Sequence, residues 1–251
     1  MYINDVNILY YVGVAILGLL IGQITDWAIK RLKSQKKVLS KDVAKEYKKK
    51  FRPNYILMFL TAIIYVTLLY VFKISNTLIG NLDMIKYIVI TPMLIAALVI
   101  DYKLQIIPNR LTLTLFETGL IFAFLYGLSN IAISMNMLIG MFVGAGIFLA
   151  ITLLGGLFFG KEAMGFGDVK LMGALGLLFG MSNIIVITLI SFLIGAVISI
   201  ILLITRIKKS DEYIPFGPFI VIATFISMYV PFETLKLILM KFFTLGMYKG
   251  S

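Results

Sequence analysis

The chain of 251 residues is 61% hydrophobic and only 14% charged, has a formal net charge of +11, and contains neither cysteine nor histidine. Too little polar surface remains to cover a water-soluble core, so the fold is expected to be all-α and polytopic in a membrane, in line with a mean hydropathy of +1.02. The missing residue types exclude disulfides, thiolate or imidazole metal sites and histidine-based catalysis, so no metal is expected and only carboxylates and lysines remain for chemistry.

The opening Met1-Tyr2-Ile3-Asn4-Asp5 lacks the positive stretch of a cleaved signal peptide, and the first apolar run, residues 8–24, is expected to stay as a span. After Asp26, a polar segment over residues 30–52 holds eleven Lys and Arg against Asp42 and Glu46. Such a segment reads as a cytoplasmic loop in contact with anionic lipid headgroups. It has no aromatic interleaving, and no nucleic-acid partner is expected. Residues 1–54 are expected to form this first span and loop, and residues 55–251 the membrane core. Further apolar runs cover residues 55–72, 85–100, 111–128, 135–159, a shorter 169–181, 184–205 and 219 to about 232. Most of these approach the roughly 20 residues that cross a bilayer, which makes about eight transmembrane helices. The tail over residues 233–248 fits either an interfacial helix or a partial ninth crossing.

With the amino terminus outside, 18 of the 23 Lys and Arg fall on cytoplasmic segments and five, Lys73, Lys86, Lys236, Lys241 and Lys249, do not. That orientation puts two lone carboxylates, Asp101 and Asp168, at the cytoplasmic membrane edge, each with a lysine nearby, Lys103 and Lys170. One such aspartate alone is commonly a helix terminus or the partner of a lysine. Two on one side suggest a shared site in which both cannot ionise cheaply, so the pair holds one proton. That state suits amide hydrolysis: one member takes a proton from water while the other polarises the scissile carbonyl. Gly165 and Gly167, before Asp168, are expected to let an extended peptide backbone come close and to permit positive φ at the turn. Glu117 is read as a buried group facing the bundle. Gly140, Gly144, Gly173, Gly176 and Gly180 are read as close helix-packing positions, and Pro215-Phe216-Gly217-Pro218 as a rigid turn before the last span.

Asp101 followed by Ile107-Pro108-Asn109 and Leu111-Thr112, the string Glu162-Ala163-Met164-Gly165-Phe166-Gly167-Asp168-Val169-Lys170-Leu171, and Pro215-Phe216-Gly217-Pro218 together resemble the type IV prepilin peptidases. Gly-x-Gly-Asp alone would be weak, but Gly-x-Gly-Asp-Val-Lys-Leu in a membrane chain is specific, and the resemblance runs in order over nearly the whole chain. It implies a GxGD-type aspartic peptidase of the bacterial plasma membrane with Asp101 and Asp168 as catalytic pair. Gly165, Phe166, Gly167 and Lys170 would then be substrate-binding. The implied substrate is a prepilin or pseudopilin, cut after a glycine on the cytoplasmic side, with no cofactor for proteolysis. Many members also methylate the new amino terminus from S-adenosylmethionine and often carry paired Cys-x-x-Cys motifs in the first loop. Those cysteines are absent here, which leaves methylation open. A proton-coupled transporter and a non-enzymatic pilus or secretion component remain as alternatives from other classes.

Overall fold

The structure, a computed structural model, describes residues 2–4, 6–33, 53–75, 77–159, 164–206 and 214–244. Most of the basic loop, Lys161, Glu162, Lys208, Lys209 and the end of the tail therefore lie outside the described residues. The chain divides into two compact units, residues 1–103 and 104–251. It is an all-α polytopic membrane protein apart from one antiparallel strand pair, β1 (Tyr2–Ile3) and β2 (Val6–Asn7).

In the first unit, α1 (Ile8–Lys33) runs nine residues past its apolar stretch. An Asp26–Lys30 ion pair one turn apart and the Arg31 guanidinium, 5.2 Å over the Trp27 ring, support that extension. α2 (Tyr55–Phe72) starts at Asn54, whose side chain accepts from the Leu57 N–H. Asn54 also donates to Asp26 Oδ1 at 2.8 Å, and its N–H to Gln23 Oε1 at 3.1 Å, so the two helices meet in a buried polar cluster. Their approach is close: a Cβ on Gly18 would lie 2.5 Å from Ala62 Cα, and one on Gly22 2.6 Å from Met58 Cα. This Gly-x-x-x-Gly spacing is the small-residue signature of tight membrane-helix contact. α3 (Leu78–Leu104) begins seven residues before the apolar run, its first turns carrying an Asp83–Lys86 pair. It packs on α2 through Tyr65, whose hydroxyl donates to Ile88 O, and through the edge-on rings of Phe72 and Tyr87.

The second unit is built around α6. α4 (Asn109–Gly127) and α5 (Ile131–Phe159) lead to α6 (Phe166–Ile204), whose 39 residues take up both the sixth and seventh apolar runs. Helical dihedrals break at Gly180, φ 78 and ψ 172, a region open essentially to glycine. There Asn136 Oδ1 accepts the Met181 N–H at 3.0 Å and caps the second limb. Contacts with α5 diverge from that point in both directions. A Cβ on Gly140 would strike Gly176 and Gly180, one on Gly144 would meet both Met172 and Ile184, and the rings of Phe148 and Phe192 lie 5.6 Å apart. Both limbs thus run beside α5, and the chain reverses at Gly180, in keeping with separate sixth and seventh runs. The first limb, residues 166–179, rises only about 21 Å, short of the roughly 30 Å hydrocarbon core.

Glu117 corrects an expectation. It is exposed, because Leu115, Thr118, Gly119 and Phe122 form the inner face of α4. α7 (Gly217–Tyr229) ends before the expected boundary, since Val230 is extended ahead of Pro231. α8 (Phe232–Phe243) has 12 residues, rises about 18 Å and buries Leu235 and Leu239, so the described tail is an amphipathic helix shorter than a full crossing. Among the described residues five helices are long and apolar enough to span a membrane: α1, α2, α3, α5 and α6.

Candidate active site

Asp168 sits in the first turn of α6, where the helix amides interact favourably with a carboxylate. Gly165 caps the helix in an extended conformation, φ −70 and ψ 141, and its carbonyl accepts the Asp168 N–H at 3.0 Å. Asp168 is nonetheless only 4% exposed. Its face of the limb continues through Leu171, Met172 and Leu175, all fully buried. Asp101 is 3% exposed in the last turn of α3, the end of a helix least favourable to negative charge. Asp101 belongs to the first unit and Asp168 to the second.

The segment that follows Asp101 and opens α4 brackets the Asp168 turn within the second unit. Gln105 takes a positive φ of 56 where α3 ends. Ile107 then turns inward, so that a Cβ on Gly167 would lie 3.2 Å from its Cβ and 3.5 Å from its N. Pro108 stands before α4 in an extended conformation, and Asn109 Oδ1 accepts from Lys170 Nζ at 2.8 Å. Two of the strings singled out in the sequence therefore touch. The expectations for the glycines change accordingly. Gly165 does not use positive φ, and among the described residues Gly180 is the glycine that does. The space beside Gly167 is filled by the chain's own Ile107.

Phe166 and Lys170 project from the other side of the limb. At about 100° per residue, Lys170 and Asp168 point about 160° apart. The Lys170 ammonium stands 5.3 Å over the Phe166 ring, which is 56% exposed. Both residues line a 520 Å³ valley shared with Leu113 and Phe116 of α4 and Phe142 and Ala145 of α5.

Phe216 anchors the Pro215–Pro218 turn: its ring lies 5.0 Å from that of Phe192, 5.9 Å from Phe148 and 5.7 Å from Phe219. Asp168 and Phe192 lie twelve residues on either side of Gly180, which places this turn at the Asp168 end of the unit. Sequence reasoning missed the roles of Ile107, Asn109 and Asn136. A polar Asn136 inside an apolar run was the available signal for the last.

No group of three or more Asp or Glu close enough to hold a metal ion occurs among the described residues. What fold and site define is a helical membrane protein with two buried carboxylates at helix ends. The resemblance to the type IV prepilin peptidases is borne out by comparison: residues 88–200, which include both aspartates, match the model of the type IV leader peptidase family. The chain is similar to the prepilin leader peptidase/N-methyltransferase of Aeromonas hydrophila, 32% identical over 155 residues, which cover 62% of this chain and 52% of that protein. Proteins of the same name from Legionella pneumophila and Pseudomonas aeruginosa are each 37% identical, over 139 and 135 residues, and each match covers 54% of this chain and 46% of the relative. The chain spans about half the length of the curated relatives it matches. No solved structure matches it.

Proposed function

We propose that the chain is a membrane-embedded aspartic endopeptidase that removes the leader of type IV prepilins or pseudopilins after a glycine, at the cytoplasmic face of a bacterial plasma membrane. The observation that carries this reading is the family match over residues 88–200, with Asp101 and Asp168 both inside it. Their burial at helix ends is a cost that a membrane protein keeps for function. In this proposal the two carboxylates share one proton. The ionised member deprotonates a water, the water oxygen attacks the scissile carbonyl carbon, and the protonated member donates to the carbonyl oxygen. Collapse of the tetrahedral species breaks the C–N bond, and the leaving amine takes up a proton. Gly165 and Gly167, the latter packed against Ile107, form the turn that presents Asp168 to the substrate.

The relatives' names include N-methyltransferase, which points to S-adenosylmethionine. That molecule needs polar partners for its carboxylate, ammonium and ribose. The valley beside Phe166 offers polar side chains only from Asn109, Thr112 and Lys170 and is otherwise apolar, so it does not fit this cofactor.

The test is cleavage of a purified prepilin by the reconstituted chain. Asp101→Asn and Asp168→Asn should each lower the rate at least about a hundredfold with the melting temperature unchanged. A single variant that keeps substantial activity would sink the dyad, and a wild-type chain that leaves the leader intact would favour a transporter or an assembly component.

A further inference from the structure

The valley between α4, α5 and the first limb of α6 is a feature that the proposed chemistry leaves unused. Its body is apolar, and Leu113, Phe142 and Phe166 on its rim are each more than half exposed, on a surface of hydrophobic helices. Its polar groups are confined to one end, where Asn109 and Thr112 of the first turn of α4 face Lys170 of the second turn of α6. The Lys170 ammonium is held there by two neutral partners, the Asn109 carbonyl oxygen and the Phe166 ring. Neither cancels its charge.

We infer that this valley binds one anionic phospholipid, with an acyl chain along Leu113, Phe116 and Phe142 and the headgroup phosphate on Lys170. Three features favour a lipid over a length of polypeptide. An apolar valley gives water no partners, whereas the hydrocarbon of a bilayer fills it at no desolvation cost. The single uncancelled cation stands at the end of the valley, as the one charge of a phosphodiester above its chains requires. The valley also lies on the face of the limb turned about 160° from Asp168, so its occupant does not occupy the face from which that carboxylate projects. Its volume of 520 Å³ lies within the range of small-ligand sites. The basic loop would attract anionic lipid diffusely; this site would hold one molecule in a fixed place.

The experiment uses the full chain in nanodiscs without any substrate, so its outcome is independent of the peptidase reading. A Trp27→Phe, Phe142→Trp form carries its one tryptophan on the valley rim. Quenching by phosphatidylglycerol with brominated chains is compared with quenching by phosphatidylcholine with the same chains. One lysine near a membrane surface is worth about 1 kcal/mol, so the anionic lipid should bind about fivefold more tightly. Lys170→Gln should bring the ratio close to one, and Lys241→Gln, on α8, should leave it unchanged. Equal quenching by both lipids in the parent, or a preference that survives Lys170→Gln, would overturn the inference. Displacement of the brominated anionic lipid by an apolar helical peptide would assign the valley to a polypeptide and overturn it as well.

Discussion

Gly167→Val is the variant that separates two accounts of the turn before Asp168. A Cβ at this position would stand 3.2 Å from the Ile107 Cβ, inside the roughly 3.5–4.0 Å at which carbon atoms pack best. Alanine therefore asks Ile107 to retreat by about 0.5 Å, a shift that costs little. Valine adds two methyl groups against a side chain that is itself 8% exposed, which is overpacking of about 1–3 kcal/mol. If the Asp168 turn absorbs about 2 kcal/mol in the transition state, cleavage falls about thirtyfold. The expected outcome is that Gly167→Ala stays within about threefold of wild type while Gly167→Val loses more than tenfold and still inserts and purifies. Ile107→Ala placed in the valine background should restore most of the loss, with a coupling energy of about 0.5–3 kcal/mol in a double-mutant cycle. Cleavage rate and Tm measured on the same detergent-solubilised proteins give the answer. Wild-type cleavage by the valine variant, or no recovery on truncating Ile107, would refute the reasoning, and the latter would return the space beside Gly167 to the substrate.

Two further outcomes follow from the fold. Gly180→Ala puts a side chain at φ 78 and ψ 172, so it should destabilise the chain by about 1–3 kcal/mol, read as a lower Tm; an unchanged Tm would remove the reversal within α6. Reporter fusions at Lys37, Lys103, Lys161 and Lys208 should report cytoplasm and those at Asn76 and Ser129 the exterior; opposite results at Lys103 and Lys161 would separate Asp101 from Asp168 across the membrane.

The helices were legible where composition alone decides them. Long apolar runs bounded by charge and proline located α2 and the two limbs of α6 to within a few residues, because hydrocarbon forces the backbone to satisfy its own hydrogen bonds. Helix ends were less legible. α1 continues to Lys33 because Asp26 and Lys30 pair along it, and α3 starts at Leu78 with Asp83 and Lys86. Those are side-chain contacts that a hydropathy profile scores as polarity. Glu117 was misread because its face depends on how α4 is rotated, which the packing of Leu115 and Phe122 sets. The glycines beside Asp168 were singled out, yet what lies against Gly167 comes from sixty residues earlier in the chain. Periodicity carries no information about that distance. Gly18 and Gly22, in contrast, could have been read: their spacing was visible and its physical meaning is general.

The reversal at Gly180 bears on how the protein enters its membrane. No loop joins the limbs, and the first, at 14 residues, is too short to be retained in a bilayer as an independent segment. Packed against α5 and against the second limb, it partitions with them, and the two limbs form one hairpin. Both ends of the hairpin necessarily finish on one side, which ties the location of Asp168 to that of Arg206 whatever the rest of the chain does.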